Sequence, residues 1–417
     1  MDHALTHGYD IKYIQVLADE INVKYRNVSE RRQGIVGALS SPRAAERSYI
    51  VTDPRLVKWA QALTGYSVDV QPGQTVAITG GVAAAPLLKA IHHEVIARGG
   101  LPVMIPVLDG LDADLLLHGS DEQLSYTTPL EHFMREQADV LINVRAEVNT
   151  KRLSAVDPAR QSRYSKARAP LTAAYMQRAA TGLLDWTLTL YPTDAHAQDA
   201  DMETGAYTDF VLKAMKLDRD DPIAAWLELR AEQQRLIDWL ACKSSIHLTG
   251  PDTDLRLDVG GRTWINSDGK RNFPSGEIFT GPIEHSVNGH IRFSFPVVTA
   301  GREVEDIRLV FKDGKVVEAT AAKNEAYLRQ TLDTDEGARF LGEFAFGTNF
   351  DIQRFTKNIL FDEKIGGTVH MAVGAGYPDT GSVNRSAIHW DMICDLRDGG
   401  EITVDGETFM QDGQFVV

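Results

Sequence analysis

Residues 55–80 read RLVKWAQALTGYSVDVQPGQTVAITG, and this stretch decides the fold. It passes from a helical pattern through a Pro-Gly turn into a short β-branched run, Thr75 to Thr79. A second helical pattern follows, AAAPLLKAIHHEVIARGG (83–100), closed by glycines and leading into the apolar run LPVMIPVL (101–108). The order then repeats, with PLEHFMREQA (129–138) as helix and DVLINVRA (139–146) as strand. Helix alternating with short apolar strand predicts βαβ units on a parallel sheet.

Outward from this block the texture changes on both sides. Residues 1–50 are highly charged and predict a helical N-terminal extension. A second helical block runs from about 203 to 243, where Asp221-Pro222 offers an N-cap and a first-turn proline. Trp226, Leu229, Leu236, Ile237 and Leu240 then share one face at helical spacing and read as a core-facing stripe. Past about 245 come SIHLTGPDTDLRLDVGGRTWINSDG (245–269), GHIRFSFPVV (289–298), DIRLVFKDGKVVEAT (306–320) and EITVDGETFMQDGQFVV (401–417). These are short β-type runs broken by Asp-Gly, Asn-Gly and Gly-Gly turns. NEAYLRQTLDTDEGARFLG (324–342) reads as a helix interrupting them. The expected architecture is an α/β N-terminal domain with a mainly parallel sheet over 51–245, and a β-rich α+β C-terminal domain over 246–417.

The composition, 43% hydrophobic and 24% charged, is that of a globular protein. A net charge of -15 argues against nucleic acid or an anionic membrane as partner, since both need a basic footprint. Two cysteines, Cys242 and Cys394, are too few for a disulfide framework or a thiolate zinc site and suit a reducing compartment. MDHALTHGYDIKYIQVLADE lacks the apolar core and small-residue cleavage site of a signal peptide. No apolar run approaches the roughly 20 residues that span a bilayer. The expectation is a cytoplasmic protein.

Several common motifs are absent. There is no GxxxxGK[ST] phosphate loop and no GxSxG elbow, and His93-Glu94 lacks the second histidine of HExxH. TGGVAAAP (79–86) reads as a tight strand-to-helix turn before it reads as an anion cradle.

SAIHWDMICDL (386–396) places two ionisable groups inside an apolar run. Such groups cost several kcal/mol to bury without a partner. The period of 2 puts His389 and Asp391 on one face of a strand, able to grip one ion together. Similar settings hold Glu277 in NFPSGEIFTGP (272–282) and Glu343 in ARFLGEFAFGTN (338–349). LFDEKIGGTVHMAVGAGYP (360–378) carries Glu363, His370 in an apolar strand, and Tyr377 at a glycine-rich exit. Lys364 apart, no embedded cation matches them. Several anions left unpaired in a core are not stable, and divalent cations resolve the excess charge. Carboxylates and imidazoles without thiolates suit zinc, manganese or cobalt. Three or four carboxylates with two histidines suit two ions, one carboxylate bridging.

These segments, with RYSKARAP (163–170), YPTDAHAQDADM (191–202), VGGRTWINSDGKRNFPSGE (259–277) and VNRSAIHWDMICDL (383–396), resemble the aminopeptidase S and aminopeptidase T family of metallopeptidases. The likeness covers about residues 52–417. It implies a cytosolic homodimeric exopeptidase of two domains, with two divalent ions per subunit in the C-terminal one, acting on peptides with a free N-terminus. It further implies Glu277, Glu343, Glu363, His370, His389 and Asp391 as metal ligands and Tyr377 as an active-site residue. Two departures stand out: the long first ~50 residues, and FPSGE where an acidic residue is expected before the glycine. Neither touches an implied ligand.

The chemistry so implied is attack by a water bridging two ions about 3.5–4 Å apart, its pKa lowered toward neutrality. The peptide's amino group would rest on one ion and the scissile carbonyl on the other. Tyr377 would hydrogen-bond the oxyanion, or else pack on Pro378. Glu363 and Glu343 are the candidates for general base, a bridging carboxylate being a poor one. LLDWTLTLYPTDAHAQDADM (183–202) offers Trp186 and His196 as lining for a specificity pocket, with core packing the other reading. The runner-up function is hydrolysis of a non-peptide amine or amide, such as an aromatic amine, on the same scaffold. A ring-cleaving single-metal oxygenase would want histidine where Glu343 stands. A metal-stabilised binding protein without turnover is the remaining class.

Overall fold

The computed structural model of the chain describes residues 53–299 and 302–417, and the helical extension expected over 1–50 lies outside them. The strands are β1 Thr75–Gly81, β2 Leu101–Val107, β3 Val140–Arg145, β4 Asp185–Leu190, β5 Ser245–Gly250, β6 Thr253–Asp258, β7 Ile265–Ser267, β8 Asn272–Phe273, β9 Glu277–Thr280 and β10 Asn288–Phe293. They continue with β11 Val297–Thr299, β12 Arg302–Val304, β13 Ile307–Lys312, β14 Lys315–Thr320, β15 Leu341–Gly347, β16 Thr368–Gly374, β17 His389–Asp395, β18 Glu401–Val404, β19 Glu407–Gln411 and β20 Gln414–Phe415.

The predicted βαβ units form a parallel sheet in the order β2-β1-β3-β4-β8. The helix Pro54–Ala62 before it starts at Asp53, whose carboxylate accepts a hydrogen bond from the Arg55 amide at 2.9 Å. Its Trp59 is fully buried and donates from Nε1 to Thr189 on β4 at 3.2 Å, tying helix to sheet. Helix Ala85–Ala97 returns the chain from β1 to β2, burying Leu87, Leu88, Ile91 and Val95. The last strand of this sheet, β8, comes from well beyond the expected boundary near 245. It joins because Leu188 and Thr189 pair with Asn272 and Phe273.

Sequence reading did not find β4 or the long helix Pro158–Ala180. That helix contains Pro170, and Leu171 is its buried residue, so the apolar stripe that marks a helix is missing.

The remaining strands form an eight-stranded sheet, β14-β13-β10-β6-β5-β18-β19-β20, a five-stranded sheet, β17-β16-β15-β9-β7, and the hairpin β11-β12. Their contacting faces share one core, in which Leu248, Ile291, Leu309 and Phe409 meet Phe344, Phe346, Met371 and Met392. Leu236, Ile237 and Leu240 of helix Pro222–Leu240 join that core, as their spacing predicts. The helix expected over 324–342 is corrected: it spans Glu325–Leu332, and Leu341 and Gly342 already belong to β15. The intervening Asp335 accepts hydrogen bonds from the Gly337 amide at 3.1 Å and the Ala387 amide at 2.6 Å, so side-chain capping replaces helical pairing there.

Candidate metal centre

The five-stranded sheet has two unlike faces, and the difference comes from strand periodicity. Phe344, Phe346, Met371, Val373, Trp390 and Met392 point into the core. The alternate positions carry Glu277, Glu343, His370, His389 and Asp391, together with Ala345, Gly347, Ala372 and Gly374. Register brings these together: Glu343 lies across from Ala372, which lies across from Asp391. His389 lies across from Gly374, and Glu277 across from Gly347. Small residues opposite the charged ones leave open space above the sheet. The sixth candidate, Glu363, follows the short helix Ile359–Asp362.

Two glycines set the aim of the glutamates. The β15–β16 register shifts between Leu341 and Glu343, a bulge that redirects the chain at Gly342. A Cβ on Gly342 would come within 2.3 Å of the Ala375 carbonyl oxygen. Gly276, before Glu277, has φ +117, and a Cβ there would meet Asn349 at 2.6 Å.

Glu343 lies between the two histidines. Its Oε1 is 3.5 Å from His370 Nε2 and its Oε2 is 3.2 Å from His389 Nε2. His370 Nε2 also faces Glu277 Oε2 at 3.3 Å, and His389 Nε2 faces Asp391 Oδ1 at 3.4 Å. Two trios result, Glu277–Glu363–His370 and Glu343–His389–Asp391, each with its ligand atoms within 4.8 Å of one another. His389 Nδ1 lies 2.7 Å from the Ala375 carbonyl oxygen. A carbonyl only accepts, so Nδ1 carries a proton and Nε2 is the nitrogen turned toward the carboxylates.

Lys364 sits inside this cluster. It is fully buried, with Nζ 3.1 Å from Glu277 Oε1 and in hydrogen-bond contact with Glu363. One ammonium against four carboxylates leaves excess negative charge in a buried place, which is the condition divalent cations relieve. Glu277 Oε2 and His370 Nδ1 are buried and have no hydrogen-bond partner. This donor set, oxygen and imidazole without thiolate, fits borderline divalent ions.

The protonation energetics follow from the same contacts. Burial alone would raise the Glu343 pKa, but hydrogen bonds from His370 and His389 bring it down to about 2. Burial would depress His370, yet Glu343 and Glu277 raise it to about 9. Burial likewise opposes, and Asp391 and Glu343 overcome, in lifting His389 to about 11. Glu363 behaves oppositely: burial lifts it to about 7 against the pull of Lys364. Asp362 is pushed up to about 8 by burial, although Thr356 donates to it from N at 2.7 Å and from Oγ1 at 2.8 Å.

His389 and Asp391 are less buried than an apolar run implies, because His389 opens the strand at the edge of a cavity. That cavity, 160 Å³, is bordered by both residues and by Asp362, Phe355 and Lys357. Tyr377 packs edge-on against His389, ring centroids 5.1 Å apart, and against Phe279 at 5.5 Å. It remains 41% exposed, and its hydroxyl has no hydrogen-bond partner among the described residues. Partial burial and then the carboxylates of Glu343 and Asp391 push its pKa up.

Of the two pocket candidates, His196 borders a second cavity of 220 Å³, held by Glu147 at 3.2 Å and Thr193 at 3.1 Å. Trp186 lies near the start of β4 and packs on Tyr175, ring centroids 6.0 Å apart, beside Leu141 and Leu184. It fills a helix–sheet interface and borders neither cavity. Sequence reasoning did not find Asp362, Arg145 or the Ala375 carbonyl. Arg145 ends a strand with nothing local to mark it, and a backbone carbonyl leaves no signal in sequence.

A model of the family described as thermophilic metalloprotease (M29) matches residues 52–415. Aminopeptidase 2 of Geobacillus stearothermophilus is 30% identical, over 87% of this chain and 95% of that protein. The structure of wild-type AmpT from Thermus thermophilus superposes with a TM-score of 0.76 at 25% identity, covering 87% of this chain and 99% of that one. A 2,5-dihydroxypyridine dioxygenase from Pseudomonas putida shares the fold, with a TM-score of 0.53 at 12% identity over 87% of this chain and 97% of its own.

Proposed function

The chain belongs to the thermophilic metalloprotease (M29) family and is a metal-dependent aminopeptidase, and we propose that two divalent ions, zinc, cobalt or manganese, work between the two trios. The observation that carries this reading is Glu343, with one oxygen toward each histidine. In it, Glu277, Glu363 and His370 would hold one ion and His389 and Asp391 the other, with Glu343 available to both. Such ions supply Lewis acidity, polarising a carbonyl and making water a nucleophile near neutral pH.

The chain's own residues do the rest. The carboxylate-rich face attracts the peptide's α-ammonium group and sets its N-terminal residue at the centre. Tyr377, with its ring fixed on His389 and its hydroxyl unpartnered, donates a hydrogen bond to the oxyanion as the scissile carbonyl becomes tetrahedral. Glu343 has both oxygens engaged and is a poor base. Glu363, held at one oxygen by Lys364, is the other candidate to take and return the proton, a role in which its second oxygen would serve the proton rather than an ion.

In the same reading, residues 51–245 form the α/β domain, to whose sheet β8 lends a strand from beyond, and 246–417 the metal-binding catalytic domain, in a cytoplasmic homodimer. Among the described residues no helix is long and apolar enough to cross a membrane. The decisive assay is hydrolysis of aminoacyl-p-nitroanilides after EDTA, then with zinc, manganese or cobalt restored, beside a panel of small aromatic amines. Activity lost and regained with metal supports the proposal. Stoichiometric metal without turnover of any peptide substrate would overturn it in favour of a non-peptide hydrolase.

A further inference from the structure

The two cavities adjoin and have unlike ends. Val298, Lys357 and Ile359 border both, and Thr356 of the 220 Å³ cavity donates to Asp362 of the 160 Å³ cavity. Their combined space is that of a small-ligand site. The inner end carries Asp362, His389 and Asp391. The outer end is bordered by Arg145, Lys151, Arg152 and Lys357, with Glu147 and Asp199 among them. It opens where β3 and β4 end, the carboxyl side of the parallel strands, where open α/β sheets take their ligands.

Most charges at the outer end are already matched. Arg152 pairs with Asp112 at 2.9 Å and Lys151 faces Asp199 at 3.8 Å; Glu147 Oε2 lies 3.2 Å from His196 Nε2 but is buried without a hydrogen-bond partner. Lys357 lies 3.7 Å from Asp201 and 3.8 Å from Glu303. Arg145 differs: among the described residues its guanidinium makes no ion pair within 4 Å and no hydrogen bond, although, against burial and beside the larger pull of His196, its charge helps hold the Glu147 carboxyl below the usual carboxylate range. The fully buried Tyr207 borders the same cavity, and its hydroxyl is also without a partner. An unpaired guanidinium and an unpartnered phenol O–H bordering one cavity are a donor set for a carboxylate.

We propose that this outer cavity binds the α-carboxylate of a short peptide, with Arg145 as its anchor. The substrates are then di- and tripeptides, zwitterions whose amino end lies at the metal-binding residues and whose carboxylate lies at Arg145. This rests on the aminopeptidase reading and adds a substrate class to it. Longer peptides carry their carboxylate past Arg145 and lose the contact, since each further extended residue adds about 3.3–3.6 Å.

The test compares kcat/KM for Leu-Gly and Leu-Gly-Gly as free acids and as C-terminal amides, on metal-loaded enzyme. The free acids should be favoured about 10- to 100-fold, the value of a hydrogen bond to a charged group. Arg145→Ala should bring the acid-to-amide ratio toward one, and Arg145→Glu should invert it. Arg145 is exposed, so neither change disturbs core packing. Equal rates for acid and amide in the wild type, with p-nitroanilides still cleaved, would overturn this inference alone. No cleavage of the acids, the amides or the p-nitroanilides would mean that the aminopeptidase reading itself fails. A third arm uses Leu-Gly-Asp amide: turnover matching the free acids would overturn the short-peptide assignment, since a side-chain carboxylate would then serve equally.

Discussion

His389 combines three contacts that explain its place: Nδ1 on the Ala375 carbonyl, Nε2 between Glu343 and Asp391, and a ring edge under Tyr377. Loss of an outer-shell partner of a metal ligand costs about 10- to 100-fold, so loss of a ligand costs at least that. His389→Ala and Asp391→Ala should therefore lose at least ~100-fold in kcat/KM and carry less metal by elemental analysis. Full activity in either would sink the ligand assignment. Tyr377→Phe should lower kcat by about 10²- to 10³-fold with metal content unchanged, the cost of one oxyanion donor. Metal content that fell with kcat would instead make Tyr377 a support for His389.

Protonation links these residues to pH. With His370 raised to about 9 and His389 to about 11, both are protonated in metal-free protein at pH 7. Metal loading should then release about two protons, measurable by calorimetry in buffers of different ionisation enthalpy. The sign for stability follows for the metal-free form. A raised histidine pKa stabilises fully below its unfolded value, about 6.5, and loses that stabilisation as pH rises through the folded value. Glu343, lowered to about 2, stabilises above about 4.3 and loses that as pH falls. Metal-free protein should melt highest between about pH 4.3 and 6.5, with the optimum moving upward once metal is bound. A metal-free optimum above pH 8 would contradict the pairing.

At the scale of the element, β15 is informative because its residues alternate in fate. Phe344 and Phe346 are fully buried in the core while Glu343 and Ala345 face the centre. Phe344→Ala should cost about 3–5 kcal/mol in denaturant unfolding while metal stoichiometry persists in the folded fraction. Gly342→Ala tests the bulge. A Cβ there collides with the Ala375 carbonyl, the same oxygen that receives His389 Nδ1–H. The variant should lower metal affinity by about 10- to 100-fold through His389, beyond any loss of stability. Unchanged affinity would show that the carbonyl can move without turning the ring.

Local pattern explains which elements were legible. β1 and β3 stood out as apolar runs beside helices because strands covered on both faces show few polar positions, whereas the edge strand β2 is apolar with only Ile105 buried. Helix Pro158–Ala180 stayed hidden because its polar faces lie over solvent, and the 324–342 helix was overextended because its charged tail kept helical composition past the Asp335 turn. Each candidate ligand was visible for the converse reason, a charge in an apolar setting. Trp186 shows the limit: an aromatic near a strand start looks alike whether it packs on Tyr175 or lines a pocket.

For the whole molecule, metal is expected to act as a stabilising ligand of the folded state. At a free-ion concentration 100 times Kd, each site adds about 2.7 kcal/mol. Chelation should lower the melting temperature measurably, and zinc, manganese or cobalt should restore it; a melting curve indifferent to EDTA would argue against sites coupled to folding. Alternation, turn residues and isolated charges are local properties, so the sequence by itself determined the βαβ beginning, the β-rich remainder and the six suspected ligands. Tertiary structure alone decided that Glu343 stands between His370 and His389, that Lys364 enters the cluster, and that Arg145 and Asp391 border adjoining cavities. These contacts depend on register between strands far apart in the chain. That register is set by packing of the opposite faces, Phe344, Met371 and Met392 against the larger sheet, and no local pattern records it.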